Sequence, residues 1–368
     1  MTKSNTKTIF LAGGQTGGPI MPLFAIAQTL QQHGSFRFVV FDTATSTAKR
    51  LIPHELPGAE FIALPAAKLA RYWTWKNFVA PFVFVFSLMK SWQAIRTYRP
   101  ALILGAGGFA QVPLMITAKL HRIPCVIHQQ DIMPSLSNQI CGPLATRITT
   151  TFNVSSKAMV QTLGMKGLLK TSKVVWTGNP NRAEHWTATK ADGQKFFQLS
   201  PNKPILLVVG GGSGAQALNR LVEATIPELT KFCQILHATG IGKEATAKHP
   251  DYHSFAFIDR MDLAYAASDI VLCRAGVGTI TELALTQKPS LVAPIPDSHQ
   301  EANAGFLLHH NAAGIINQDT IDSAELAQII RKLLLNGDEQ QQYRKNIAKL
   351  LPPHSSETYA KLVLELLQ

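Results

Sequence analysis

Residues 270–304 read IVLCRAGVGTITELALTQKPSLVAPIPDSHQEANA. A short apolar strand (Ile270, Val271, Leu272) runs into a turn holding Gly276 and Gly278. A helix is predicted from about Thr279, with Glu282 in its first turn. A second apolar strand (Leu291, Val292, Ala293) stops at Pro294 and Pro296, and Asp297, His299, Gln300 and Asn303 follow at once. A Gly-rich turn that opens a helix gathers backbone N–H groups at the positive end of a helix dipole, an arrangement suited to phosphate. A carboxylate one turn in can accept two hydrogen bonds from a ribose diol. The same glutamate could serve only as a dipole cap. The Asp-x-His-Gln-x-x-Asn cluster that follows tips the reading toward a nucleotide-sugar site.

Outward from this stretch, apolar runs alternate with helical patterns along the whole chain. Strands are predicted at 9–12, 38–41, 61–64, 102–104, 125–128, 147–150 and 174–176. A second series lies at 205–209, 234–237, 255–258, 270–273, 291–293 and 314–316. Strand–helix–strand spacing of this kind argues for parallel sheets covered by helices on both faces. The pattern restarts near residue 200, where PILLVVGGGSGAQALN echoes KTIFLAGGQTGGPIMP. The expectation is an α/β chain of two doubly wound, Rossmann-like domains facing a central cleft, spanning 1–180 and 181–352. Ligands in such folds sit at the carboxyl ends of the strands. The join falls at 177–182, where Gly178 and Pro180 stop the preceding strand. A final amphipathic helix is expected, with an N-cap at Ser355 or Ser356. Its pattern suits either domain; 353–368 is read as packing back on the first.

The bulk properties fit two globular domains. The chain has 368 residues, 46% of them hydrophobic, with 35 Lys and Arg against 23 Asp and Glu, a net charge of +12. That balance favours anionic partners such as diphosphates or acidic lipid surfaces. Nucleic-acid binding, which charge alone would allow, has no groove-reading motif to support it. Cys125, Cys141, Cys233 and Cys273 form no C-x-x-C pair and read as buried thiols of a cytoplasmic protein. No signal sequence is recognisable, and the most apolar window, 78–89, is too short to span a bilayer.

Three Gly-rich turns follow predicted strands: Gly13-Gly14-Gln15-Thr16-Gly17-Gly18, Gly105-Ala106-Gly107-Gly108 and Gly210-Gly211-Gly212-Ser213-Gly214-Ala215. None is a Walker-type loop, and none has the dinucleotide spacing, although Asp42 stands at the end of the second strand. Between 68 and 99, Tyr72, Trp73, Trp75, Phe78, Phe82, Phe84, Phe86, Trp92 and Tyr98 are interleaved with Lys68, Arg71, Lys76, Lys90, Arg96 and Arg99. Rings and cations together suit an anionic membrane interface, and equally a core helix with a basic face. Pro81 places the start of a helix near itself.

In order and spacing, GGQTGG (13–18), GAGGFAQVP (105–113), IPCVIHQQD (123–131), TGNPNR (177–182), VVGGGSGAQALN (208–219), CRAGVGTITE (273–282) and HQEANA (299–304) resemble the MurG family of bacterial cell-wall synthesis. The resemblance covers nearly the whole chain. It implies the GT-B fold and transfer of N-acetylglucosamine from UDP-GlcNAc to a lipid-linked muramyl-pentapeptide on undecaprenyl diphosphate. It further implies a peripheral position at the cytoplasmic face of the cell membrane, contact with an anionic membrane surface through 68–99, and other cell-wall synthesis proteins as partners. Carried over by position, Glu282 would bind the ribose hydroxyls, and Gly276, Val277, Gly278 and Thr279 would line the diphosphate. Ile258 would hold the uracil through its backbone, and Arg182 would lie near the nucleotide and the domain hinge. Asn219, His299 and Gln300 would address the donor sugar. Gly212 and Ser213 would retain part of a phosphate loop. Thr16, Gly17, Gly18 and Asn138 complete the substrate-binding set.

Departures from the family pattern lie on the acceptor side. Pro19 stands where His is usual, Phe109 where Tyr is usual, and HEQN becomes His128-Gln129-Gln130-Asp131. Proline cannot accept a proton and glutamine is a poor base, so Asp131 and His128 become the candidate catalytic bases. The expected chemistry is a single inverting displacement. No D-x-D motif is present, so neither a metal nor a cofactor is implied. A transferase with another acceptor, or a non-catalytic UDP-sugar-binding protein at the membrane, are the alternatives.

Overall fold

The computed structural model describes residues 6–14, 17–65, 75–154, 171–181, 186–211, 215–352 and 354–368. The chain divides into two compact units, Met1–Asn181 with His354–Gln368, and Arg182–Pro353.

In the first unit, strands β1 (Lys7–Ala12), β2 (Phe36–Asp42), β3 (Glu60–Ala63), β4 (Leu102–Gly105), β5 (Cys125–Gln129), β6 (Arg147–Thr150) and β7 (Val174–Trp176) form one sheet in the order β3-β2-β1-β4-β5-β6-β7. Every pairing is parallel. The described crossover helices are α1 (Gly17–Gln32), α2 (Ala48–Glu55), α3 (Trp75–Tyr98), α4 (Gln111–Leu120) and α5 (Leu136–Cys141). The second unit repeats the plan. Strands β8 (Ile205–Val209), β9 (Gln234–Ala238), β10 (Tyr252–Phe255), β11 (Ile270–Cys273), β12 (Ser290–Val292) and β13 (Gly314–Ile315) pair in parallel in the order β10-β9-β8-β11-β12-β13. Helices α6 (Lys190–Phe197), α7 (Gln216–Leu229), α8 (Met261–Ala267), α9 (Val277–Thr286), α10 (His299–His309), α11 (Ser323–Leu335) and α12 (Gly337–Leu350) accompany them. A last helix, α13 (Ser355–Leu367), belongs to the first unit.

The period of two along a strand divides the core of the first unit. Ile9 and Leu11 of β1 pack with α1 and with Tyr359, Ala360 and Val363 of α13. Phe10 and Ala12 point the other way, among Ile95 of α3 and Leu114 and Met115 of α4. Both faces being covered, β1 reads as an unbroken apolar run.

Four local expectations are corrected. The third strand of the second unit is 252–255 rather than 255–258. It is an edge strand, so its apolar run does not mark its paired residues, and Phe257 remains exposed beyond it. Helix α9 begins at Val277, two residues early, which moves Glu282 out of the first turn. Helix α3 begins at Trp75 and carries Pro81 inside it, at the cost of one backbone hydrogen bond. The residue flanking α13 is His354, with no side-chain cap; the Ser356 hydroxyl instead donates to Asn181 O (2.6 Å) and accepts from Asn181 N (2.9 Å).

The loops after β1 and β4 press together. Gly108 sits at φ +90°, and a Cβ there would lie 2.5 Å from Gly14 Cα and 2.7 Å from Gly13 O. Gly108→Ala is therefore expected to cost about 2–5 kcal/mol in urea denaturation, from backbone strain and overpacking together. An unchanged midpoint would contradict this close approach.

Candidate active site

In each sheet the strand order reverses once, between β1 and β4 and between β8 and β11. The crossovers from those strand pairs leave on opposite faces, and a crevice opens at the carboxyl ends. The three Gly-rich turns follow β1, β4 and β8, and the Gly276 turn follows β11.

In the second unit, β11 passes through Arg274 and Ala275 to Gly276, the N-cap of α9, whose extended backbone (φ −73°, ψ 141°) brings no side-chain cap. The first-turn N–H groups of α9 are left for another acceptor. Neither Gly276 nor Gly278 is a left-handed glycine, and a Cβ on either would meet nothing within 4 Å. Backbone strain and packing within the protein therefore do not account for these glycines.

Glu282 lies in the second turn of α9, partly buried as a residue. Its carboxyl reaches inward, where burial pushes its pKa up to about 7 although the Tyr265 hydroxyl, donating over 2.8 Å, favours the ionised form. Tyr265 is fully buried on α8 and was not singled out by sequence, because only the fold brings it to Glu282. Arg274 is a second such residue. It is 5% exposed and donates to the carbonyls of Ala293 (2.8 Å) and Pro294 (3.1 Å) and to Gln318 Oε1 (2.6 Å). Its Nε has no hydrogen-bond partner among the described residues, and burial lowers its pKa. A buried guanidinium just before a helix N-terminus adds positive potential where the dipole already supplies it. The local signal was an Arg between a strand end and Gly-x-Gly.

Around this turn, Asn303 donates to Ala275 O (3.0 Å) and ties α10 to the glycine turn. Gln300 accepts from Ile295 N (3.2 Å), while His299 is exposed at the start of α10. Ile258 is buried in the loop after β10. Asn219 is more fully engaged than the sugar-binding expectation requires. It donates to Thr239 O (2.9 Å) and accepts from His237 Nε2 (3.2 Å), and His237 Nδ1 in turn accepts from the Tyr252 hydroxyl (2.9 Å). Its amide holds the loop after β9. Gly212, Ser213, Arg182 and Thr16 lie outside the described residues.

In the first unit, Gly17 and Gly18 open α1, and Pro19 is its third residue, where no N–H partner is needed. Pro22 cannot bond the Gly18 carbonyl, and the Gln130 side chain donates to it instead (3.2 Å). Asp131 follows β5 in a partly exposed loop at the same rim. His128 does not share that access. It is fully buried, and Nδ1 meets Thr149 Oγ1 at 2.9 Å, while Nε2 meets Asn179 Oδ1 and Thr151 Oγ1 at 3.2 Å. Burial lowers its pKa to about 4. Both ring nitrogens are occupied in joining β5, β6 and the end of β7. Asn138 is likewise buried, bonded to the His128 carbonyl (3.2 Å) and to Gln129 Oε1 (2.7 Å).

With this geometry in hand, comparison with known proteins is informative. The model for the glycosyltransferase family 28 N-terminal domain matches residues 9–150, and that for the family 28 C-terminal domain matches 205–357. A protein of Lachnospira eligens named UDP-N-acetylglucosamine–N-acetylmuramyl-(pentapeptide) pyrophosphoryl-undecaprenol N-acetylglucosamine transferase is 32% identical over 350 residues, which is 93% of this chain and 94% of that protein. A protein of the same name from Christiangramia forsetii is 32% identical over 362 residues, 95% and 94% of the two chains. Among solved structures, Acinetobacter baumannii MurG aligns with a TM-score of 0.74 at 23% identity, over 98% of this chain and 99% of that one. This last likeness bears on the fold, the GT-B class.

Two titrations check the site. His128 and His237, both lowered to about 4 by burial, should stay neutral in NMR spectra from pH 8 down to about pH 5; a His128 transition near pH 6.5 would contradict its burial. The Glu282 carboxyl titrates near 4.5 when unperturbed and about 7 in the fold. Between those values the folded chain holds a proton the unfolded chain lacks, so this group's contribution to stability falls as pH rises. Glu282→Gln removes that slope, and its stability relative to wild type should rise between pH 5 and pH 7 in urea denaturation.

Proposed function

The chain belongs to glycosyltransferase family 28, and from that premise we propose that it moves N-acetylglucosamine from UDP-GlcNAc to a muramyl-pentapeptide carried on undecaprenyl diphosphate. The observation that carries the donor half is the uncapped, glycine-cleared first turn of α9 with Glu282 one turn further in. On this reading, Gly276, Val277, Gly278 and Thr279 present backbone N–H groups to the diphosphate, and Arg274 reinforces them. Glu282 accepts from the ribose diol. Ile258 flanks the base, with Arg182 near the nucleotide. His299 and Gln300 meet the sugar.

The reaction is one displacement. The acceptor hydroxyl oxygen bonds to the anomeric carbon as the bond from that carbon to the diphosphate oxygen breaks. The hydroxyl proton passes to a base, for which Asp131 is the accessible candidate. Negative charge builds on the departing UDP, where helix N–H groups and a fixed guanidinium need no rearrangement to receive it. The test is incubation with UDP-GlcNAc and the lipid-linked acceptor: a disaccharide product is expected, and transfer only to another aglycone would replace the acceptor assignment. Glu282→Ala should weaken UDP-GlcNAc binding by about 1.5–3 kcal/mol, the scale of a hydrogen bond to a charged group; unchanged affinity would remove the ribose role.

The lipid acceptor requires a membrane surface, and α3 offers one. Val79, Phe82, Val85, Phe86, Met89 and Trp92 form an exposed stripe at helical spacing, with Phe82 78% and Met89 63% exposed. The opposite face, including Ser87, Ser91, Ala94 and Ile95, is buried. Lys90 stacks on Phe86 (5.2 Å), and Arg96 and Arg99 are exposed nearby in sequence. Residues 68–74 of the aromatic–basic segment, and the side chains of 75–78, lie outside the described residues. Among the described residues no helix is long and apolar enough to cross a membrane. On this reading the chain attaches peripherally at the cytoplasmic face, with the apolar stripe inserted and the cations at the headgroups. Replacing Phe82 and Met89 together by Asp should reduce sedimentation with vesicles containing anionic phospholipid; undiminished binding would place the contact elsewhere.

A further inference from the structure

Three buried side-chain amides of the first unit form one directed hydrogen-bond chain. It starts at the Gly107 backbone N–H, which donates to Gln111 Oε1 (2.7 Å). Gln111 Nε2 donates to Asn138 Oδ1 (2.9 Å). Asn138 Nδ2 donates to Gln129 Oε1 (2.7 Å) and to the His128 carbonyl (3.2 Å). Gln129 Nε2 then donates to the carbonyls of Asp131 (2.6 Å) and Met133 (3.3 Å).

Both ends of the chain are backbone groups, and that fixes its sense. An N–H can only donate and a C=O can only accept, so each amide has one orientation that satisfies its neighbours. The three side chains are 0%, 3% and 2% exposed for Gln111, Asn138 and Gln129, so water cannot replace a missing partner cheaply. The sequence also leaves room for them. A Cβ at Gly105 would collide with the Gln111 amide. In this chain an ionised glutamate at 129 could accept from Asn138 but could donate to neither carbonyl.

The chain joins two loops at the carboxyl edge of one sheet. At one end is the turn after β4, which Gly108 presses onto Gly14. At the other is the loop carrying Asp131. We propose that Gln111, Asn138 and Gln129 are positioning residues for glycosyl transfer, setting the Asp131 carboxylate relative to the β4 turn so that it meets the acceptor hydroxyl. This rests on the reading of Asp131 as base. None of the three touches the reacting atoms; each acts through the loop it holds.

The test uses the full chain with UDP-GlcNAc and the lipid-linked acceptor. Gln129→Glu and Gln111→Ala should each lower kcat by about 10- to 100-fold, the scale known for hydrogen-bond partners that orient metal ligands. UDP-GlcNAc affinity by calorimetry should stay within twofold of wild type, which also reports that the second unit is folded. The pH–kcat profile should keep its limb at the same pH with a lower plateau. The double variant should be no slower than the slower single variant, since either change cuts the same chain. Amide exchange in the Asp131–Met133 loop should quicken in Gln111→Ala, a change some distance along the relay from that loop. If the Gln129 variants do not fold, Gln111→Ala alone carries these readings. Wild-type kcat in the variants, losses that multiply in the double variant, or unaltered exchange in that loop would overturn the relay. Asp131→Asn separates the two readings: full activity there overturns Asp131 as base and the relay with it. An inactive Asp131→Asn beside fully active relay variants overturns the relay alone.

Discussion

Crossovers that start from the two middle strands of a parallel sheet must leave over opposite faces once the strand order reverses. A crevice forms at the carboxyl ends of those strands, and the turns that follow them carry backbone amides to its edge. Here that happens between β1 and β4 and again between β8 and β11. The remaining features of the chain follow from it. Glycine is needed where turns must pass each other, as Gly108 passes Gly14, whereas at Gly276 and Gly278 the space before the helix N-terminus is open. The two settings are distinguishable: the first glycine is crowded and left-handed, the other two are neither.

The same constraint sorts the polar residues at the strand ends. His128, Asn138, Gln129, Asn219 and His237 all lie close to a crevice in sequence, yet all are buried and hydrogen-bonded within their own unit. Their hydrogen bonds tie the turns to the strands beside them. Glu282 differs because burial raises its pKa to about 7 while Tyr265 supplies a single hydrogen bond. A ribose diol adds the donors that would favour its ionised form. Arg274, buried and incompletely bonded, shows the complementary imbalance on the cationic side.

Much of the fold was legible because parallel strands are buried on both faces and appear as uninterrupted apolar runs. The exception, β10, is an edge strand that ends at Phe255, and the exposed Phe257 carries the apolar pattern past its paired residues. Residue types at the turn into α9 were also legible, since Gly276, Gly278 and Glu282 are local in sequence. Their environment was not. Tyr265 is 17 residues from Glu282, and His128 meets Asn179 across 51 residues. A histidine at a strand end has the same local signature whether it is a base or a buried tie, and only the packing of β6, β7 and α13 around it decides. Pro19 likewise read as a lost catalytic group, whereas its place in the first turn of α1 is what a proline suits best.

The central claim is that Glu282, held near its titration point, receives the nucleotide sugar in its ionised form. Calorimetry of UDP-GlcNAc binding at pH 7 in buffers of different ionisation enthalpy measures the protons exchanged directly. With a free-state pKa of about 7, binding should release about half a proton. Glu282→Gln should abolish that release. Binding of UDP-GlcNAc by the wild type with no proton released, or a release that persists in Glu282→Gln, would contradict the account.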